Sequence, residues 1–376
     1  MTMRELTYQV SFNTPAFLGN AEQQAQWRTP PFKAMLRQWW RVVKAPDVDY
    51  DHLRLLTLEN ELFGSAGDDD GCGRSKVLLR LSGWDAGTLL QRPMLSKVDH
   101  PETKTREGRL IRPDADVYLG FGPITTDGMR SAIAPNGSTV TFKLRLPITE
   151  APAIQKAMQL AAWFGTLGSR ARNGWGSLHI EGEGILGWAE LCDSKLADQS
   201  PLRSVANALG DRLASDWPHA VGLCADGRPA VWRVVAGSTV KEGKTAYVGF
   251  DNWRLAMEQL AALKIGFRTQ FKLTSGAPHM QVEDRHILAY PVTNHGLKDL
   301  PNARLASQVR FKVARNKDGK YFGLITHFPS AMPSSFFECS SVHRPEIKDQ
   351  IAVWQQVHQF LNTPQPGSQV LRIRRG

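Results

Sequence analysis

Apolar and polar residues alternate over residues 6–12, with Leu6, Tyr8 and Val10 on one side and Thr7, Gln9 and Ser11 on the other. That period of two predicts a strand with one buried face. A turn at Asn13-Thr14-Pro15 and a loop through Gly19-Asn20 lead to Thr29-Pro30, a capping residue followed by a proline that suits a first helical turn. The helix expected over 31–44 gathers Phe32, Met35, Leu36, Trp39 and Val43 on one face. Lys33, Arg37, Arg41 and Lys44 follow at steps of four, four and three, which aligns them as a basic stripe, with Trp40 between the two faces. A second helical run ends at Glu61-Leu62-Phe63-Gly64-Ser65. An acidic loop holding Asp68, Asp69, Asp70 and Gly71 comes next, then a strand over 75–81. That loop lacks the spaced oxygen ligands and closing glutamate of a calcium loop, and reads as a mobile surface loop.

Residues 96–114 carry Lys97, Lys104, Arg106, Arg109 and Arg112 without helical periodicity, and an extended basic loop or hairpin is expected there. Strands are expected at 117–119, 139–146 and 178–180, and an apolar helix over 151–167. The pattern weakens over 184–200, which divides the chain into a first domain, 1–190, and a second, 191–376. The second half predicts helices near 201–215, over 251–263 and over 345–361, and strands near 285–292, 307–314 and 321–328. In the last pair Val309, Phe311 and Val313 face one way and Arg310 and Lys312 the other, with Asn316-Lys317-Asp318-Gly319 as the turn. Such a face suits a sheet lying along a polyanion, and equally a plain solvated surface. Neither half alternates strand and helix as a doubly wound sheet does, so the expected class is α+β, with antiparallel strands covered on one face by helices. Strand–helix–strand–strand–helix–strand in the first half is the ferredoxin-like plan.

The chain has 376 residues, more than one ordinary core holds and enough for two domains. Forty-six Lys and Arg against 36 Asp and Glu leave a formal net charge of +10, which suggests a polyanionic partner. The surplus is grouped: residues 304–320 hold Arg304, Arg310, Lys312, Arg315, Lys317 and Lys320 against Asp318 alone. Cys72, Cys192, Cys224 and Cys339 lie far apart with no zinc spacing, and read as free thiols of a reducing cytosol. No signal peptide and no membrane-length apolar run is visible, so a soluble, cytoplasmic protein without a membrane partner is expected.

Residues 168–176, Gly168-Ser169-Arg170-Ala171-Arg172-Asn173-Gly174-Trp175-Gly176, are the most informative stretch. Three glycines permit tightly bent backbone, and two arginines with Ser169 and Asn173 supply donors that can surround a phosphodiester. The loop follows a helix and precedes a strand, the reverse of a Rossmann or P-loop site, and Gly120-Phe121-Gly122-Pro123 stops short of either. A tight connection with incidental arginines is the competing reading.

These residues resemble the RAMP superfamily of CRISPR proteins, and within it the first RAMP subunit of the type III-B effector complex. The matching pieces are Thr14-Pro15-Ala16-Phe17-Leu18-Gly19, the segment from Arg28-Thr29-Pro30-Pro31 to Gln38-Trp39-Trp40-Arg41, Glu61-Leu62-Phe63-Gly64-Ser65, and Gly165-Thr166-Leu167 with the glycine-rich loop through Ser177. Together they cover roughly the first 180 residues, and the second half matches chiefly at Arg304-Leu305-Ala306-Ser307. The resemblance implies two tandem ferredoxin-like (RRM-like) domains with insertions. It also implies an RNA-binding structural subunit in antiviral defence that holds the 3′ part of a guide RNA and touches target RNA and other RAMP subunits.

The alternative is a ribonuclease of the same superfamily, processing guide RNA or cleaving target RNA. Cleaving relatives use an aspartate in the loop after the first strand, whereas residues 13–31 here contain only Glu22 as an acid. His52, His100 and His179 are scattered, so no catalytic residue, metal or cofactor is expected. The expected RNA contacts are Lys33, Arg37, Trp40, Arg41 and Lys44 on the first helix, Ser169, Arg170, Arg172, Asn173 and Trp175 in the glycine loop, and Arg310 and Lys312 on the hairpin. Trp40 and Trp175 would stack on bases, while Trp39, Trp163 and Trp354 sit at core spacing.

Overall fold

The alternating segment near the N-terminus forms β1 (Met3–Phe12), with Leu6, Tyr8, Val10 and Phe12 buried. The computed structural model describes residues 2–65, 73–105, 107–187, 190–191, 196, 202–210, 218–241, 244–300, 302–363 and 369–372. The acidic loop at 68–71, Arg106, Cys72 and Cys192 lie outside these residues.

After β1 come α1 (Thr29–Lys44), α2 (His52–Phe63), β2 (Leu78–Leu81), α3 (Ala115–Gly120), β3 (Val140–Pro147), α4 (Ala151–Phe164) and β4 (Leu178–Gly182). Thr29 lies inside α1 with Pro30 beside it, and no side chain caps that end. The first sheet runs β2-β3-β1-β4, antiparallel at every neighbour. The second half continues with β5 (Leu202–Ser204), α5 (Val205–Leu209), β6 (Val221–Leu223), β7 (Val231–Val235), β8 (Gly237–Lys241), β9 (Lys244–Val248), α6 (Trp253–Thr269) and α7 (Asp284–Leu288). It closes with β10 (Val309–Arg315), β11 (Tyr321–His327), α8 (Ile347–Asn362) and β12 (Gln369–Arg372). Its main sheet runs β10-β11-β7-β12, again antiparallel throughout. The two four-stranded sheets therefore share one plan: taken in chain order, their strands stand second, third, first, fourth. A helix bridges the first to the second strand and another the third to the fourth. The class is α+β.

Three expected elements differ. Residues 117–119 are helical within α3, because the buried apolar pair Ala115 and Leu119 is spaced by four and faces the second core. Residues 284–288 form α7 rather than a strand, since Glu283 and His286 make a reciprocal capping box at its start. The helix near 201–215 is reduced, among the described residues, to β5 and α5.

Two cores hold the molecule. One joins β1, α1, α4 and β3 through Phe12, Phe32, Trp39, Phe142 and Leu160, and takes in Phe328 from the second half. The other surrounds α6 and α8 and takes in Phe17, Leu95, Leu119, Ile124 and Trp175 from the first. Each half thus lends side chains to the other's core.

Candidate nucleic-acid interface

The loop between α4 and β4 is where the halves meet. At Gly168, with φ +97°, a β-carbon would lie 2.6 Å from the Phe17 carbonyl oxygen; at Gly176, with φ +62°, it would lie 1.9 Å from that of Leu167. No other residue fits either place. The bent backbone is tied to the segment after β1. Ser169 N–H donates to Phe17 O at 3.0 Å and Gly176 N–H to Pro15 O at 2.8 Å, while Thr14 Oγ1 donates to Gly174 O at 2.7 Å. The opposite side of the loop grips β10. Phe311 N–H donates to Arg172 O at 3.0 Å, Val313 N–H to Ser177 Oγ at 2.9 Å, and Asn13 Nδ2 to Val313 O at 3.0 Å. Since β10 is an edge strand of its sheet, these bonds also cover an open edge.

Within the loop Ser169 and Arg170 are exposed, whereas Arg172 and Asn173 are half-buried. Arg170 has φ +58° and donates through Nε to Phe121 O at 2.6 Å. Asn173 donates to Leu119 O at 2.7 Å and accepts from Lys264 Nζ of α6 at 2.6 Å. Burial, with Arg268 and Arg170 nearby, pushes the Lys264 ammonium down to about 7.

Arg172 also lines a cavity of about 180 Å³ with Arg304, Ser307, Gln308, Arg310, Phe328 and Ser330. The Arg310 guanidinium carbon sits 5.0 Å from the Phe328 ring centre, and its Nε is sealed from solvent with no partner. With its amide oxygen turned inward, Gln38 of α1 accepts from the same guanidinium. Burial first, and the charge of Arg172 second, push Arg310 down to about 9, far below an ordinary arginine. An anion in the cavity would relieve both effects.

Several expected contacts are corrected. Trp40 is 1% exposed and packs edge-on against Phe63, and Trp175 is fully buried between Phe17 and Trp253, so neither offers a face to a base. Lys312 is buried as well. Its Nζ donates to Ala162 O at 2.6 Å and Ala161 O at 3.3 Å, carbonyls of the last turn of α4. The face carrying Arg310 and Lys312 is therefore packed against the first half rather than turned to solvent.

The basic stripe of α1 meets an acid that its own helix does not supply. Arg37 and Arg41 both bind the fully buried carboxylate of Glu59 on α2, Arg41 at 2.5 and 2.7 Å. Lys44 pairs with Asp47 at 2.5 Å, and Lys33 donates to Phe63 O at 2.7 Å at the end of α2. Burial and the nearby Arg37 lower the Lys33 ammonium. Glu59 carries no signal in its spacing; only the pairing of two helices reveals it.

Histidines scattered along the chain also converge. His279 joins Glu283 at 2.6 Å and His295 at 2.9 Å, and His327 joins His358 at 2.9 Å. Among the described residues no group of three or more potential ligands is arranged for a metal, and no helix is long and apolar enough to cross a membrane.

No protein-family model and no curated protein matches the chain. Among solved structures it is similar to the crystal structure of Cmr1 from Pyrococcus furiosus in its apo form, with 16% identity, a TM-score of 0.45, and 100% of this chain and 99% of that one covered. It is also similar to a chain of the type III-B Cmr-beta complex bound to cognate target RNA and AMPPnP in the presence of ssDNA, at 11% identity and TM-score 0.44, over 94% of this chain and 98% of that one. A chain of Cmr-beta bound to cognate target RNA gives 10% identity and TM-score 0.44, over 95% of this chain and 100% of that one.

Proposed function

We propose that this chain is an RNA-binding structural subunit of a type III CRISPR ribonucleoprotein, of the type III-B kind, built as two tandem ferredoxin-like domains. It holds guide RNA, its 3′ part in particular, contacts target RNA and other RAMP subunits, and works in the cytoplasm. The observation that carries the reading is the Arg310 guanidinium, held beside Arg172 and Arg304 on a cavity, with a sealed Nε and a depressed pKa. A phosphodiester entering that cavity restores the charge that burial opposes. The strand order repeated in both halves fits the domain plan, and the motifs of the first 180 residues fit the RAMP superfamily.

The same reading assigns binding without cleavage. Glu22 is exposed on its loop and is the only acid of residues 13–31, where cleaving relatives use an aspartate, and His52 stands at the start of α2. Purified protein with Mg²⁺ or Mn²⁺ should leave guide-like RNA intact, and Glu22→Gln or His52→Ala in an assembled complex should leave target-cutting positions unchanged. Loss of one discrete cut with assembly preserved makes the subunit an enzyme.

Co-purification followed by RNA sequencing tests the whole. Recovery of a guide RNA with other RAMP subunits supports it; a monomer carrying a metabolite overturns it.

A further inference from the structure

After α3 the chain turns through Gly120-Phe121-Gly122-Pro123, and Phe121 leaves 65% of its surface exposed, more than any other aromatic among the described residues. Its carbonyl holds Arg170 Nε at 2.6 Å. That bond leaves the two terminal amino groups of Arg170 for an outside acceptor. Gly122 places no side chain over them: a β-carbon there would stand 3.5 Å from Nη2. Arg170 has φ +58°, a left-handed backbone that side chains disfavour, and such strain persists where surrounding structure holds it for a purpose. Asn173 supplies the hold. Its N–H donates to Arg170 O at 2.9 Å, its Nδ2 to Leu119 O at 2.7 Å, and its Oδ1 accepts from Lys264 at 2.6 Å. The glycine loop, the end of α3 and α6 are thereby one frame that holds the Arg170 guanidinium against the backbone of the residue that carries the exposed Phe121 ring.

We propose that Phe121 and Arg170 form a nucleotide subsite, a base stacking on the Phe121 ring while the adjoining phosphate binds the Arg170 guanidinium. The subsite deepens the RNA-binding reading and rests on it. Any base presents a π-face, so the contact is indifferent to sequence, as a holder of variable guides requires. A protein partner would ask for a contiguous apolar patch, whereas Phe121 stands between two glycines and beside exposed Ser169 and Arg170.

The test uses the full chain and a single-stranded RNA of mixed sequence, with 2-aminopurine walked along its positions. Wild-type protein should quench the emission at one position, and Phe121→Ala should abolish that quenching and weaken binding about tenfold. Phe121→Trp should restore both and Phe121→Leu neither, which separates stacking from apolar contact. Arg170→Ala should weaken binding and reduce the salt slope by roughly 0.7. Equal affinity and equal emission for wild type and Phe121→Ala overturn the subsite while leaving RNA binding standing. Failure of the wild-type chain to bind the RNA overturns both. Loss of a co-purifying subunit in Phe121→Ala, with RNA affinity unchanged, replaces the subsite with a protein contact.

Discussion

Lys312 and Arg310 stand two residues apart on one face of β10 and do opposite things. Period-two spacing separates the faces of a strand but says nothing about what covers each, which is why an outward basic face was the natural expectation. Lys312 satisfies two carbonyls at the end of α4, so Lys312→Ala should lower unfolding stability by about 2 kcal/mol in urea titration and leave the salt slope of RNA binding unchanged. Arg310→Ala should reduce that slope by roughly 0.7 with little loss of stability, because it removes a cation that burial opposes together with the proposed phosphate contact. Equal slopes for the two variants would falsify the cavity as an RNA site. The His327–His358 pair adds a pH signature. Burial first, then Arg372, hold His358 down to about 3, and burial with His358 holds His327 well below its ordinary range. Unfolded histidines take up protons from about pH 6.5 downward while these two stay neutral, so the unfolded state binds more protons and stability is lost on acidification. Above about pH 7 the pair contributes no slope. Between about pH 6.5 and 5, before carboxylates titrate, the unfolding free energy from urea titration should fall by up to about 1.4 kcal/mol per pH unit per imidazole. A flat profile across that window in wild type, or an identical slope in His358→Gln, would contradict this account.

At the scale of elements, α1 shows what periodicity conveys and what it omits. Its apolar face was legible: Phe32, Met35, Leu36 and Trp39 are buried as their spacing requires. Its basic stripe was equally legible as a stripe, but its partner was not, because Glu59 lies on another helix whose packing angle no local pattern encodes. The glycine loop was readable for the opposite reason, since backbone geometry that only glycine tolerates leaves its mark in the residues themselves. Trp40 and Trp175 misled because a tryptophan beside cations looks the same whether it packs inward or stacks outward. Arg37 and Arg41 are partly exposed while Glu59 is sealed, so solvent screens part of their attraction. Glu59→Gln should therefore destabilise by about 2 kcal/mol, less than breaking a fully buried pair costs. Arg37→Ala should shift the thermal midpoint downward and leave the RNA salt slope as it is; a slope reduced by a full phosphate contact would return the stripe to the RNA path.

On the scale of the molecule, the chain's mixed cores make the halves interdependent, and the glycine-rich loop concentrates that dependence. One side of it presents Arg170 outward, while the other holds Phe311 and Val313 of β10 through Arg172 O and Ser177 Oγ. A ligand that favours the seated loop must then favour the joined halves by the same free energy, since linkage between two equilibria is reciprocal. RNA at 100 times its dissociation constant should raise the unfolding free energy by about 2.7 kcal/mol and protect the junction from proteolysis. The converse is the sharper test. Ser177→Ala removes a buried hydroxyl that no RNA can touch, yet it should weaken RNA binding along with stability; intact affinity in a destabilised variant would show that RNA does not sense the junction. On the proposed function, the same reasoning would let a subunit docking on either half alter how tightly the other grips RNA, the loop then acting as a thermodynamic gearbox through which assembly and guide retention set each other.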